Sequence, residues 1–477
     1  MLQHVKFIIE NHQALEKSEQ HRRNGKPENI QQVVDQYAAV KILNANLDIL
    51  NEHKNRMAKL FKEIKKGPVV YKLLTQIAKD FDALNTNTGG DLVITTYSDC
   101  PSTDDRTCST PKDLAAIGTM IKKLRTYFAN VIDEKTQHLH VIAATIGNVL
   151  DKRVPLTEQQ TVFNNVTQSL TDNPRFNGTK QQSHFTIMKK MGLECGPTIS
   201  QISGNRAYVL GGQLFELKQA LTMFAMRFMK YKKFQLKNAP VFMHYENMRD
   251  VCQLGDFDET LYELSDKSRG NKKTSEAKKK YLTATSEQFM VAYHKNTTFK
   301  EEELPKRYCA FNECFRKESG SLGKDTNGIF RVHQFDKFEQ FVVCKPEESE
   351  KELEGLLSNI KEFYDLLGIQ YRVVLMDAGD INGSTAIKYD LEAYFPHSKQ
   401  YRELVSCSNC TSYQARKVNC KYNKTNKEDG TGEREFVHML NSTLCAIQRT
   451  MCCLVEYYWN EETQTLKFPE VLQEFMV

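Results

Sequence analysis

Two stretches of this chain repeat apolar residues at alternating steps of three and four over many turns. From Gln31 to Lys66 no Gly or Pro intervenes, and apolar side chains fall at Val40, Leu43, Leu47, Leu50, Met57, Phe61 and Ile64, with Lys54 the one gap. After Pro111 a second run carries Leu114, Ile117, Ile121, Leu124, Phe128 and Val131, weakens at Lys135 and His138, and resumes at Leu139, Ile142, Ile146 and Val149. Such spacing keeps one apolar stripe on one side of a helix. At 1.5 Å per residue each helix would be on the order of 50 Å long. Two runs of similar length joined by a return segment predict an antiparallel helical hairpin; a bundle pair or a dimerising coiled coil gives the same periodicity. Before them, a short apolar-patterned segment (Val5, Ile8, Ile9) ends at the breaker Asn24-Gly25-Lys26-Pro27. Between them, Leu84 to Pro111 is rich in Asn, Thr, Asp and Ser and reads as a polar loop at the tip. Its Cys100 and Cys108 alone do not make a metal site.

At 477 residues the chain has room for two or more domains. A net charge of +5 permits an RNA partner without arguing for one. The 13 cysteines form no tight framework, and several sit in apolar runs such as Met451 to Val455. With no secretory leader pattern and no apolar run near the roughly 18–20 residues a bilayer needs, the expectation is a soluble, cytoplasmic chain with reduced thiols.

The second constraining stretch is Asn312 to Phe341. Charged and aromatic blocks flank a Gly/Ser/Asp/Thr/Asn loop, which predicts a β-hairpin: Cys314 to Glu318 outward, Gly320 to Gly328 turning, Ile329 to Phe341 returning. Arg331, Phe335, Lys337 and Glu339 share one parity, as do Arg316 and Glu318. Arginines, a flat aromatic and carboxylates on one sheet face suit a nucleotide beside an amino acid; cross-strand ion pairs on an exposed face would look alike. Elsewhere, Val154 to Pro197 is irregular and polar, a connecting segment. Gly204 to Met243 reads as strand (Arg206 to Leu210), helix (Gln213 to Met229) and a strand ending at Pro240, with Leu214, Leu217, Leu221 and Phe224 at helical spacing. Asp266 to Lys280 is a charged linker. Cys407-x-x-Cys410 invites a zinc reading, but no second pair follows at zinc-ribbon spacing, so no zinc is expected.

The string FRKESGSLGKDTNGIFRVHQFDKFEQF closely resembles motif two of the seryl-tRNA synthetases, a subgroup of the class II aminoacyl-tRNA synthetases. Gly204 to Met243 resembles motif one, YLTATSEQF (Tyr281 to Phe289) the family's serine-binding loop, and HMLNSTLCAIQRTMCCLV (His438 to Val455) motif three. DLEAYFP and YRELVSCSNCTSYQAR continue the match, and the Leu-Asn-x-Thr wording of motif three is closer to the cytosolic eukaryotic form than to the bacterial one. The resemblance is strong from about Tyr281 to the end and architectural before Ser203. Departures are few: Tyr394 stands where tryptophan is common, and Asn423 to Glu433 is lengthened.

The resemblance implies an α+β fold: a two-helix coiled-coil arm and a catalytic domain on a mainly antiparallel sheet flanked by helices. The implied domains are 1–153 (tRNA-binding arm), 154–202 (connection) and 203–477 (catalysis). It implies serine–tRNA ligase chemistry in which serine and ATP give seryl-adenylate, whose seryl group passes to serine tRNA; selenocysteine tRNA is a second acceptor in the family. The implied catalytic residues are Arg316, Arg449 and Glu403. ATP contacts extend over Arg316, Lys317 and Glu318, over Arg331, Val332, His333, Gln334 and Phe335, and over Glu403, Leu404, Val405, Ser406 and Arg449. Mg²⁺ falls to Glu403 and Ser406. Serine falls to Thr285, Glu287, Glu339, Asn441 and Thr443, with Arg316 shared between substrates. Motif one implies a homodimer. Phosphate-contact candidates on the arm are Lys41, Lys54, Arg56, Lys59, Lys62, Lys65, Lys122, Lys123 and Arg125, though a solvated Lys-rich helix face reads the same. The alternative is an inactive relative that binds tRNA or a protein; loss of Arg316, Arg449, Glu403 or Glu339 would favour it, and all four are present.

Overall fold

A computed structural model describes residues 2–63, 111–157, 160–163, 182–252, 260–264, 279–319, 325, 327–425 and 432–476. The chain divides into two compact units, one of Met1–Ile30 with Ala144–Val477 and one of Gln31–Ala143. The division thus differs from the expected border at 153: the first thirty residues and those from 144 onward sort with the larger unit.

Helices α1 (Leu2–Glu10) and α2 (His12–His21) bury Val5, Ile8 and Leu15. Long helices α3 (Glu28–Glu63) and α4 (Pro111–Thr145) carry the two expected runs. Within the smaller unit Val40, Leu43, Leu50, Ile121, Phe128 and Leu139 are buried, as the periodicity requires, and Leu47 and Leu124 are half-buried. Arg125 Nε donates to Asn51 Oδ1 at 2.6 Å. Asn29 and Thr145, at the two outer ends, meet at 2.8 Å, so the helices run antiparallel. The side chains of Met57 and Phe61, Ile64, and the loop from Leu84 lie outside the described residues, as does most of the 266–280 linker.

The larger unit is built on an eight-stranded sheet. Its strands are β1 (Thr161–Phe163), β2 (Gln235–Lys237), β3 (Lys306–Phe315), β4 (Gln334–Cys344), β5 (Tyr371–Leu375), β6 (Ile387–Phe395), β7 (Gln400–Asn409) and β8 (His438–Ala446). Their order is β1-β5-β6-β7-β8-β4-β3-β2, antiparallel except for the β2–β3 edge. Around it lie α5 (Gly212–Tyr231), α6 (Ser286–Tyr293), α7 (Ser349–Leu366), α8 (Tyr413–Val418) and α9 (Ile447–Tyr458). The architecture is the expected α+β one.

Central strand β4 is buried on both faces. Its even positions Phe338, Val342 and Cys344 join α5, α7 and α9 in the main core, while Phe341 and Val343 join a smaller core with α6 and α8. That leaves Phe335, Lys337 and Glu339, on the odd face, to the cavity beside it. The hairpin differs from the expected one in extent. The outgoing strand is Lys306–Phe315 and the return begins at Gln334, so Arg316, Glu318 and Arg331 are loop residues, with Glu318 in the left-handed region at φ 55°. The turn 320–324 lies outside the described residues. Among the described residues no helix is long and apolar enough to cross a membrane.

Candidate active site

A cavity of about 320 Å³ opens on the odd face of β4. Two bulges decide what reaches it. Strand alternation would send Glu403 and Ser406, three residues apart, to opposite faces. In the β6–β7 ladder, however, Leu391 pairs with Val405 and Glu392 with Glu403, so Leu404 is an extra residue and both polar side chains line the cavity. The β4–β8 ladder repeats the device: Phe338 pairs with Cys445 and Glu339 with Thr443, leaving Leu444 extra. Thr443 thereby faces Glu339 while Ala446 and Gln448, further on, still line the same space.

One end is dominated by guanidinium groups. Arg316 lies over the Phe335 ring, its central carbon 5.2 Å from the centroid, and Arg449 lies 5.0 Å from that of Phe330. Arg331 Nη1 donates to Glu318 Oε2 at 3.1 Å. Arg449 Nη1 donates to Glu403 Oε2 at 3.3 Å and to the Glu403 carbonyl at 3.2 Å. Burial alone would push the Glu403 carboxyl up, but Arg449, Lys388 and Arg316 outweigh it and hold it well below the usual carboxylate range. Lys388 itself pairs with Asp390 at 3.0 Å.

The other end is a drier polar network: Lys337, Glu339, Asn441 and Thr443 are buried, and Thr285 and Glu287 are half-buried. Lys337 Nζ donates to Thr285 Oγ1 at 2.7 Å and pairs with Glu339, whose Oε2 also accepts from Thr443 Oγ1 at 3.1 Å. Glu287 Oε1 accepts from Gln414 Nε2 at 2.7 Å and Asn441 Nδ2 at 2.9 Å. Burial, then the neighbouring Glu339 charge, pushes the Glu287 carboxyl up to about 7. Thr285 N-caps α6, accepting from the Glu287 N–H at 3.3 Å, which fixes the Thr-Ser-Glu stretch at the cavity edge.

The cavity lining thus gathers Thr285, Glu287, Arg316, Glu318, Arg331, Val332, Phe335 and Glu339 with Glu403, Leu404, Val405, Ser406, Asn441, Thr443 and Arg449. Three expected residues are not in it. The Lys317 N–H is spent on the Thr260 carbonyl, His333 Nδ1 sits 3.0 Å from the Arg316 carbonyl, and Gln334 is an exposed strand-end residue. Lys337, read from the sequence as a member of the odd face but given no role, lines it too, as do Lys388, Gln448, Asn382, Ser384 and Thr385, which had not been singled out. Lys337 had a signal: a lysine on the inner parity of a central strand, here 7% exposed, seldom lies there without a polar task. The 382–385 loop had none.

Cys407 and Cys410 face different neighbours. Cys407 Sγ lies against the Leu353 carbonyl, and Cys410 Sγ among Ser384, Thr385 and Asn441; burial pushes both thiols up to about 12. Among the described residues no three His, Cys, Asp or Glu gather to hold a metal. Glu403 and Ser406 offer two hard oxygens, a fit for a cation that completes its shell with water and phosphate oxygens.

Residues 270–458 match the family model described as the tRNA synthetase class II core domain (G, H, P, S and T). The chain is 41% identical over 331 residues to the serine–tRNA ligase of Methanosphaera stadtmanae, covering 69% of this chain and 74% of that one. It is 41% identical over 335 residues to the cytoplasmic serine–tRNA ligase of Arabidopsis thaliana, covering 69% and 71%. The cytoplasmic serine–tRNA ligase of Naegleria fowleri, solved with AMP, superposes with a TM-score of 0.72 at 33% identity over 98% of this chain and 94% of that one. The seryl-tRNA synthetase of Pyrococcus horikoshii, solved with ATP, gives 0.77 at 26% identity over 99% and 97%.

Proposed function

The chain belongs to the seryl-tRNA synthetases, and we propose that it activates L-serine with ATP and transfers the seryl group to the 3′ end of serine tRNA. The observation that carries the proposal is the division of one cavity into a guanidinium end and a dry polar end, side by side on one sheet face. ATP fits the first. Phe335 would stack on adenine and Glu318 would accept from its exocyclic amine. Arg316 would fork onto the α-phosphate and Arg449 onto the outer phosphates. Serine fits the second, its ammonium and hydroxyl shared among Glu339, Thr285, Glu287, Asn441 and Thr443.

In the first step a serine carboxylate oxygen attacks the α-phosphorus, the bond to pyrophosphate breaks in line, and seryl-adenylate remains. The nucleophile is already ionised, so the protein supplies alignment and charge cancellation rather than a base. Glu403 and Ser406 would hold Mg²⁺, which when bound neutralises phosphate charge; the Arg449, Lys388 and Arg316 charges favour the carboxylate form of Glu403. In the second step a terminal ribose hydroxyl attacks the seryl carbonyl, its proton passing to a phosphate oxygen of the adenylate, and the bond to AMP breaks so that AMP leaves. Serine is small, so selection rests on polar contacts: alanine would leave a buried group of the dry end unpaired, a stronger rejection than size gives.

The arm is the proposed tRNA contact. Lys41, Lys54, Lys59, Lys122 and Lys123 are exposed there, whereas Arg125 is half-buried and bonded to Asn51. The side chains of Arg56 and Lys62, and Lys65, lie outside the described residues. A homodimer through the motif-one element is proposed from Phe215 and Met223, which are 52% and 48% exposed on α5. The free thiols agree with the cytoplasm as the compartment. Charging of total tRNA with labelled serine tests the whole proposal: serine should enter the serine acceptors and alanine none, and absence of charging by folded protein would refute it.

A further inference from the structure

We propose that Arg22, just beyond α2, is a positioning residue for the amino-acid end of the cavity, so that the first thirty residues are a working part of the active site; this rests on the serine assignment above. Arg22 is 8% exposed and its guanidinium gathers four backbone carbonyls. Nη1 donates to Ile381 and Asn382 at 3.3 and 3.0 Å. Nη2 donates to Asn148 and Thr385 at 3.0 and 2.9 Å. Its Nε lies 3.6 Å from Glu19 Oε1. Glu19 is buried as well, and its two oxygens accept the Gly147 and Lys26 N–H groups at 3.0 and 2.9 Å. Packing at this node is tight: a Cβ on Gly147 would stand 2.8 Å from Glu19 Oε1, 2.9 Å from Arg22 Nε and 3.0 Å from the Gly383 carbonyl.

The segment so held is the wall that gives Asn382, Ser384 and Thr385 to the cavity. Asn148, whose carbonyl Arg22 holds, grips the same segment. Its N–H donates to the Gly383 carbonyl at 2.7 Å, and its Nδ2 to the Ser384 carbonyl at 3.2 Å and the Cys410 carbonyl at 2.9 Å. The wall's inner hydroxyls, Ser384 Oγ and Thr385 Oγ1, lie 3.9 and 3.8 Å from Cys410 Sγ. Asn441 Nδ2 reaches the same sulfur at 3.5 Å and Glu287 Oε1 at 2.9 Å. The path from Arg22 to the proposed serine ligands is therefore short and made of specific contacts. A second contact runs in parallel. Phe7 of α1 lies under the Arg416 guanidinium of α8, 3.5 Å from its centre, and Gln414 of α8 holds Glu287.

Residues 376–386 between β5 and β6 are outside the strands, so side chains and backbone caps must fix their course. A guanidinium suits four carbonyls because its five N–H groups form a rigid fork; a lysine ammonium has three donors on one point. Arg22→Lys keeps the charge beside Glu19 and removes the fork. Serine-dependent pyrophosphate exchange should then show a serine KM raised roughly 5–50-fold by the displaced wall, with ATP KM and kcat within about twofold. Amide exchange of residues 381–386 should speed up in the same protein. Asn148→Ala, which loosens the wall without touching a charge, should give the same signature. Unchanged serine KM in both folded variants, an equal rise in ATP KM, or faster amide exchange without a KM change would each overturn the proposal. Glu339→Ala run alongside keeps the two ideas separate. If it leaves serine KM unmoved, the serine assignment falls by itself, while the Arg22 data still report whether this wall governs amino-acid affinity.

Discussion

At the guanidinium end of the cavity, the Arg331 and Arg449 side chains are 27% and 23% exposed and reach in from a loop and a helix; at the polar end, Glu339, Asn441 and Thr443 hang from central strands at 1%, 7% and 6%. The first end is the wetter of the two, and its arginines already pair with carboxylates, Arg331 with Glu318 and Arg449 with Glu403. The second already satisfies its groups with each other, Lys337 against Glu339 and Asn441 against Glu287. A ligand must replace those bonds one for one. The difference is one of exposure: under the proposed function the more exposed end takes the large, highly charged substrate and the more buried end the small one. It also predicts that substitutions at the two ends fail in different ways.

The largest effect is expected at the wet end. Arg316→Ala removes the fork from the phosphate at which charge develops, and loss of one such donor lowers exchange by roughly 10²–10³-fold. Exchange within a few-fold of the parent would break the contrast. Next comes the dry end: Glu339→Ala should raise serine KM by roughly 10–100-fold, a buried charged hydrogen bond being worth about 1.5–3 kcal/mol, and leave ATP KM nearly unchanged. A third effect is on stability rather than on rate or affinity. The raised Glu287 carboxyl, about 7 against an ordinary 4.5, favours the folded state fully below pH 4.5, and that contribution is lost as pH rises through about 7. Unfolding free energy of the parent relative to Glu287→Gln should therefore fall between those values, by at most about 1.4 kcal/mol per pH unit, and a flat difference would remove the buried-carboxylate account. The smallest is on the arm. Lys59→Ala or Lys122→Ala should each reduce the salt slope of tRNA affinity by about 0.7–0.9, with pyrophosphate exchange untouched; unchanged slopes would leave these lysines as a solvated face.

The hairpin carrying Phe335, Lys337 and Glu339 was legible because strand parity survives in sequence, and the arm because its periodicity runs over many turns. Strand ends were less so: Arg316 and Arg331 read as strand residues, yet tertiary contacts end the ladder at Phe315 and restart it at Gln334. The extra residues Leu404 and Leu444 left no local mark, since a bulge is a property of two paired strands and not of either alone. Arg22 was hidden for a similar reason. Nothing in a polar segment between a helix and an Asn-Gly turn tells that its partners are carbonyls some 360 residues away.

Serine-dependent exchange of labelled pyrophosphate into ATP, with alanine, glycine and threonine run in parallel, tests the two-ended cavity most directly. Exchange with serine alone, abolished by Arg316→Ala and restored in Glu339→Ala only at high serine, is the predicted result. Exchange with alanine as good as with serine, or none with serine in a folded protein that binds ATP, would contradict it.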